Sequence, residues 1–129
     1  MAKIRCKCGY IIVDQTDKLP YKGYILPDTE IDKISTALIN TIDSLDEANK
    51  LGKRLEWIKN NFHLPPYPTD LKDSSMIYDK ITSELVDKTQ DIFECNNCGR
   101  ILIQIGQTNE FKTFCPDTND TKGILKGKE

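Results

Sequence analysis

The sequence contains Cys95-Asn96-Asn97-Cys98-Gly99 and, near the N-terminus, a similar cysteine pair followed by glycine, Cys6-Lys7-Cys8-Gly9. Residues that favour β-strands flank both turns. The glycine after each cysteine pair allows a positive φ, and its amide can then approach a sulfur atom. Tetrahedral zinc takes four thiolates, and two such pairs on facing turns can supply them. The sequence therefore predicts one structural zinc ion with the ligands Cys6, Cys8, Cys95 and Cys98.

The composition restricts the class of protein. The chain has 129 residues and five cysteines, and its 18 basic and 20 acidic residues give a net charge of −2. No apolar run approaches a membrane span, and the N-terminus has no signal-peptide pattern. We therefore expect a cytoplasmic protein with no membrane partner, in which clustered thiols bind a metal rather than form disulfides. The charge balance disfavours a general nucleic-acid binder.

Helical periodicity occupies the segment between the two cysteine turns. The pattern predicts a first helix from residue 29, with Asp28 or Thr29 as its N-cap. Because Ser44-Leu45-Asp46-Glu47 fits a capping box, a second helix is predicted to begin there. It is predicted to bury Ala48, Leu51, Leu55, Ile58 and Phe62. A third helix is predicted from Asp73 to Lys88, with its apolar face formed by Ile77, Ile81 and Leu85.

These elements predict an α+β fold with a small antiparallel sheet built from both termini and about three inserted α-helices. We expect a single domain over residues 1–115. Its two sheet-forming halves are 3–26 and 91–115, and the helical insertion is 29–88. The polar residues 116–129 are expected to form a flexible tail.

The cysteine turns resemble those of the zinc ribbon family, in which two knuckles at the tips of β-hairpins share one Zn(Cys)4 site. The resemblance covers about residues 3–26 and 91–115, although the first turn is CxC rather than the usual CxxC. It implies nucleic-acid binding in transcription or translation as an alternative function. Residues that could contact phosphates, or that could instead offset the charge of the thiolates, surround the turns: Lys3, Arg5, Lys7 and Arg100.

The layout of the whole chain resembles small bacterial proteins, some of which are immunity proteins of toxin systems. The resemblance rests on CxCG, then Tyr21-Lys22-Gly23-Tyr24 and Leu26-Pro27-Asp28, then helices, and then the CxxCGR strand. It implies a compact acidic protein that neutralises a basic nuclease toxin. A regulatory adaptor with another protein partner is a third interpretation.

We expect no enzymatic activity, because the chain has one histidine and no GxSxG, P-loop or HExxH motif. Residues 64–120 contain ten acidic and five basic residues, which favours a basic protein as the partner. Asp79 and Asp87 fall away from the predicted core face of the third helix and are candidates for this contact. The null hypothesis is that these charges only keep the helix soluble.

Two further residues have no assigned role. Cys115 is interpreted as a small, partly buried side chain, with replacement of one of the four ligands as the alternative. His63 is interpreted as a packing or helix-end residue rather than as a metal ligand.

Overall fold

The computed structural model describes residues 2–63, 66–118 and 123–125, and within them the chain has six strands and three helices. In chain order these are β1 (Ala2–Arg5), β2 (Ile11–Asp14), β3 (Lys22–Ile25), α1 (Asp28–Lys50), α2 (Arg54–Asn61), α3 (Asp73–Lys88), β4 (Gln90–Glu94), β5 (Ile101–Gln104) and β6 (Phe111–Phe114). The predicted α+β fold with three helices is confirmed, and the strands form two antiparallel sheets where the sequence predicts one. None of the helices in the described part of the chain is long and apolar enough to cross a membrane.

The chain divides into two compact units. The cysteine unit comprises Met1–Leu26 and Thr89–Glu129, and the helical unit comprises Pro27–Lys88. The helical unit thus contains the segment that the sequence analysis treats as an insertion, and each unit has its own cluster of buried residues.

The cysteine unit contains two antiparallel sheets, which are the hairpin β1-β2 and the four-stranded sheet β3-β4-β5-β6. Pairing of β3 with β4 joins the N-terminal part of the chain to the C-terminal part, with Gly23 opposite Ile92. A Cβ atom at Gly23 would lie 3.2 Å from the Ile92 side chain, so glycine lets the two strands pack closely. The core of the unit is formed by Cys6, Ile12, Phe93, Cys95 and Leu102.

The C-terminal segment Gly123–Leu125 is bound to a buried carboxylate. Glu94, at the end of β4, is only 2 % exposed. Its side chain accepts hydrogen bonds from the backbone N–H of Gly123 at 2.6 Å and of Leu125 at 3.5 Å. The expected tail at 116–129 lies partly outside the described residues, but these three residues contact the sheet through Glu94.

We expect Glu94→Gln to destabilise the protein by about 1–3 kcal/mol, because an amide NH₂ replaces one acceptor and leaves a buried N–H without a partner. Urea unfolding measures the effect, with the exposed Glu110→Gln as the matched control. Removal of residues 123–129 should add little to the loss in the Glu94→Gln variant. Fully additive losses would show that Glu94 and this segment do not act together.

The first helix of the helical unit is longer than the sequence predicts. Residues Asp28–Lys50 form one helix, with Pro27 rather than Asp28 or Thr29 at its N-cap. The predicted helix start at Ser44 is wrong. The Ser44 hydroxyl donates a hydrogen bond to the Thr41 carbonyl within the helix and accepts one from Trp57 Nε1 at 2.9 Å.

Helix α1 ends instead at Lys50, with Leu51 as its C-cap and Gly52 following at a φ of +70°. The N–H of Lys53 donates to the Ala48 carbonyl at 2.8 Å, and the N–H of Gly52 donates to Asn49 at 3.4 Å. This is the Schellman pattern, which needs a left-handed residue after the last turn. The second helix therefore starts only at Arg54.

The core of the helical unit is formed by Leu45, Ala48, Trp57, Ile58 and Met76. The bounds predicted for the third helix are confirmed, since α3 runs from Asp73 to Lys88. Its buried face was predicted incompletely, because Met76 is buried and Leu85 is exposed. Leu51 and Leu55 are also exposed, contrary to prediction, because Leu51 lies between the two helices and α2 buries Trp57 and Ile58 instead.

Candidate metal centre

The first cysteine turn connects β1 to β2. The N–H of Cys6 donates to the Tyr10 carbonyl at 2.9 Å, and the N–H of Gly9 donates to the Cys6 carbonyl at 2.9 Å. Gly9 has a φ of +96°, as the sequence predicts. The shorter CxC spacing thus closes into a hairpin turn and places Cys6 and Cys8 at its tip.

The second cysteine turn connects β4 to β5. It has the same pattern of backbone hydrogen bonds as the first turn but is one residue longer. The N–H of Cys95 donates to the Arg100 carbonyl at 2.8 Å, and the N–H of Gly99 donates to the Cys95 carbonyl at 2.9 Å. The φ of Gly99 is +79°, which also matches the prediction. Both turns therefore present two thiols from a hydrogen-bonded hairpin.

The four predicted cysteines come together. All four Sγ atoms lie within 4.8 Å of one another, and the pairs Cys6–Cys98 and Cys8–Cys95 are 3.6 Å apart. These sulfur–sulfur distances far exceed the roughly 2.05 Å of a disulfide bond, and the cysteines are free. The cluster can hold a metal ion.

Side chains of the second turn donate hydrogen bonds to two of the sulfur atoms. Asn97 Nδ2 lies 3.5 Å from Cys8 Sγ, and Arg100 Nη1 lies 3.3 Å from Cys98 Sγ. The sequence analysis did not assign Asn97 a role, and it offered charge compensation as one of two roles for Arg100. The signal available in the sequence was the position of these residues within or next to the CxxC turn.

Backbone amides near the sulfur atoms also favour the thiolate form, but they are not the amides that the sequence predicts. The N–H groups of Gly9 and Gly99 donate to carbonyls. The amides that lower the pKa of the thiols belong to Cys8, Tyr10, Asn97, Cys98 and Arg100. The positive φ of each glycine closes the turn, and the neighbouring residues supply the sulfur contacts.

The surroundings divide the metal-free thiols into two kinds. Burial raises the pKa of Cys95 to about 12 and also raises the pKa of Cys6. The hydrogen bonds from the Asn97 side chain and the Tyr10 amide lower the pKa of Cys8 to about 6. Burial opposes ionisation of Cys98, but the amide and guanidinium of Arg100 outweigh it and lower the pKa of that thiol. Each 3.6 Å pair therefore joins a thiol with a lowered pKa to a thiol with a raised pKa.

The remaining candidate residues lie outside the cluster. Cys115 is exposed just after β6, so its expected partial burial is wrong. His63 is exposed in the helical unit. Asp79 and Asp87 are both exposed on α3, and the Asp79 carboxylate accepts a hydrogen bond from the Tyr67 hydroxyl at 2.8 Å.

These features define an α+β protein with a four-cysteine cluster between two β-hairpin turns. The chain belongs to the family described as Domain of unknown function (DUF8617), whose family model matches residues 2–118. The matched range includes all four cysteines of the cluster. Comparison with curated proteins and with solved structures found no match.

Proposed function

We propose that the protein is a non-catalytic zinc-binding protein that acts by binding a basic protein partner. The observation that carries the zinc assignment is the arrangement of the four sulfur atoms. A tetrahedral site with Zn–S bonds of about 2.3 Å has sulfur–sulfur edges of about 3.8 Å. Two of the observed separations are 3.6 Å and none exceeds 4.8 Å, so small movements complete the tetrahedron.

A four-thiolate site supports a structural role for zinc rather than a catalytic one. Four protein ligands fill the tetrahedron and leave no position at which the metal could activate water. The Zn(II) ion with four thiolates has a charge of −2, which the N–H donors of Asn97 and Arg100 partly offset. The bound ion would join the turn after β1 to the turn after β4.

The charge of the helical unit supports a basic protein as the partner. Residues 27–88 contain twelve acidic and eight basic residues, whereas the remainder of the chain contains eight acidic and ten basic ones. An acidic surface attracts a basic protein and repels nucleic acid and anionic membranes. Among basic partners, the resemblance to bacterial immunity proteins favours a nuclease toxin.

Nucleic-acid binding is the second candidate, because Lys3 and Arg5 are exposed on β1. Lys3 pairs with Val13 and Arg5 pairs with Ile11, so this face of the hairpin carries two positive charges and no carboxylate. The guanidinium of Arg100 is bonded to Cys98 instead, which weakens its candidacy as a phosphate ligand. Tight binding of duplex or single-stranded oligonucleotides that weakens steeply with salt would favour this candidate.

Titration of the reduced metal-free protein with zinc tests the metal assignment. We expect one equivalent to bind at pH 7 with release of at least two protons, because the pKa of Cys6 is raised above its usual value of 9.0 and that of Cys95 is raised to about 12. Affinity should fall as pH falls, because protons compete with zinc for the thiolates. Calorimetry in buffers of different ionisation enthalpy measures the proton count.

The matched control is Cys115→Ser, which removes an exposed thiol outside the cluster. We expect the control to give the same stoichiometry and the same proton release as the unchanged chain. Absence of zinc binding, or loss of the site in the Cys115→Ser variant, would contradict the assignment.

A further inference from the structure

We propose that the outer face of α1 is the docking surface for an amphipathic helix of the partner that is rich in lysine and arginine. The inference rests on the proposed function, and it names the surface and the form of the basic partner. The outer face is defined here by Ile31, Leu38, Ile39, Ile42, Asp32 and Asp43. It replaces the contact through α3 that the sequence analysis favours.

The aliphatic side chains of the outer face are exposed although they lie on a long amphipathic helix. Exposed fractions are 44 % for Ile31, 37 % for Leu38, 58 % for Ile39 and 44 % for Ile42. The core-facing side of the same helix is formed by Thr41, Leu45 and Ala48. Exposed aliphatic residues at spacings of four, seven and eight form a continuous stripe, which is the pattern by which one helix recognises another.

Uncompensated negative charge lies along this stripe. Helix α1 has six acidic and two basic residues, and both lysines are already paired, Lys33 with Glu30 at 3.1 Å and Lys50 with Asp46 at 3.0 Å. Asp32 and Asp43 have no salt bridge within the described part of the chain. Asp32, Ile39 and Asp43 are seven and four residues apart, so they share one row of the helix surface.

The carboxylates of α3 are largely engaged within the helical unit. Asp73 pairs with Arg54, and Glu84 pairs with Lys88 at 3.0 Å. Asp79 accepts the hydrogen bond from Tyr67. Of the two α3 residues predicted to contact a partner, only Asp87 has no salt bridge or hydrogen bond among the described residues. The α1 helix therefore has more unpaired carboxylates than α3 in the described part of the chain.

The negative charge of the outer face favours a basic binding partner. A second copy docked symmetrically through the same face would bring aspartates opposite aspartates, and nucleic acid or an anionic membrane would be repelled as well. In a helix with a leucine stripe bordered by lysines, the leucines can pack against the aliphatic residues of the outer face and the lysines can pair with its aspartates. At 1.5 Å per residue, the face from Ile31 to Asp43 is about 18 Å long and matches a helix of roughly 12–16 residues.

The test uses the full zinc-loaded chain and a labelled synthetic helix of about 16 residues with a leucine stripe bordered by lysines. One control peptide has glutamate for each lysine, and another has serine for each leucine. We expect the basic amphipathic peptide to bind, with amide NMR shifts in residues 28–47, and each control peptide to bind about tenfold more weakly or less. Fluorescence anisotropy measures the affinities.

Matched variants on α1 and α3 show whether binding depends on the outer face of α1 or only on the overall negative charge of the chain. Ile39→Ser and Asp43→Lys should each weaken binding about tenfold, in line with the loss of one buried aliphatic side chain or a reversed charge. Val86→Ser and Asp87→Lys make the same changes at exposed positions of α3 and should change it less than about twofold.

Equal weakening by both sets of variants, absence of peptide binding, or self-association through this face would overturn the inference. Zinc content is measured for every variant. A chain that retains one zinc but fails to bind the peptide contradicts the docking surface alone. A chain that never binds zinc contradicts the proposed function.

Discussion

Cys95→Ser is expected to destabilise the zinc-loaded protein severely. The Cys95 side chain is fully buried in the core of the cysteine unit, and the substitution removes one of the four sulfur atoms of the cluster and leaves a buried hydroxyl. Structural zinc contributes on the order of 10–16 kcal/mol to folded zinc-finger peptides. Even a loss of about 3 kcal/mol would lower Tm by roughly 12–24 °C for a unit of this size.

Calorimetric melting of the zinc-loaded protein checks this result, with Cys115→Ser as the control. Cys115 is exposed and has no place in the cluster, so its substitution should shift Tm by no more than about 2 °C. Similar shifts for the two variants would mean that the ligands are assigned wrongly.

Met76→Ala should produce a large loss of stability in the helical unit. The Met76 side chain is 0 % exposed and packs in one cluster with Leu45 and Trp57. Truncation of a buried methionine leaves a cavity and costs about 2–5 kcal/mol. Trp57 is the only tryptophan and lies in the same cluster, so its fluorescence during urea unfolding measures the effect directly.

Val86→Ala is the control on the same helix. Val86 is 68 % exposed, so its truncation should change the free energy of unfolding by no more than about 0.5 kcal/mol. Both variants should still bind one equivalent of zinc, since the four cysteines of the cluster all belong to the cysteine unit. A Met76→Ala protein as stable as the control would contradict the packing of this core.

The cysteine cluster could be predicted because its signal is local and its chemistry is specific. Two cysteine pairs, each followed by glycine and flanked by strand-forming residues, indicate two hairpin turns that meet at one centre. The glycines at positions 9 and 99 take the positive φ that this pattern requires. The bounds of α3 were predictable for a similar reason, since a clear periodic run begins at Asp73 and ends at Lys88.

The end of α1 could not be read from the same kind of pattern. Ser44 and Glu47 have the spacing of a capping box, but a cap needs an extended backbone at the serine. In the folded chain Ser44 accepts the hydrogen bond of Trp57, which is distant in sequence, and the helix continues to Lys50, with Gly52 just beyond it in the left-handed conformation. A tertiary contact thus overrides a local capping signal.

The backbone amides that contact the sulfur atoms and Glu94 also could not be predicted from the sequence pattern. Which amide faces a sulfur depends on the φ and ψ of the whole turn, so the glycine amides were the wrong choice. The bond between Glu94 and Gly123 joins residues that no local motif connects. The identity of the metal and the basic partner remain predictions.

Zinc K-edge X-ray absorption of the protein purified with its native metal tests whether the four cysteines bind zinc. We expect one zinc ion per chain with four sulfur neighbours at about 2.3 Å and no oxygen or nitrogen neighbour. A protein without zinc, or a zinc ion with fewer than four sulfur ligands and a bound water, would contradict it.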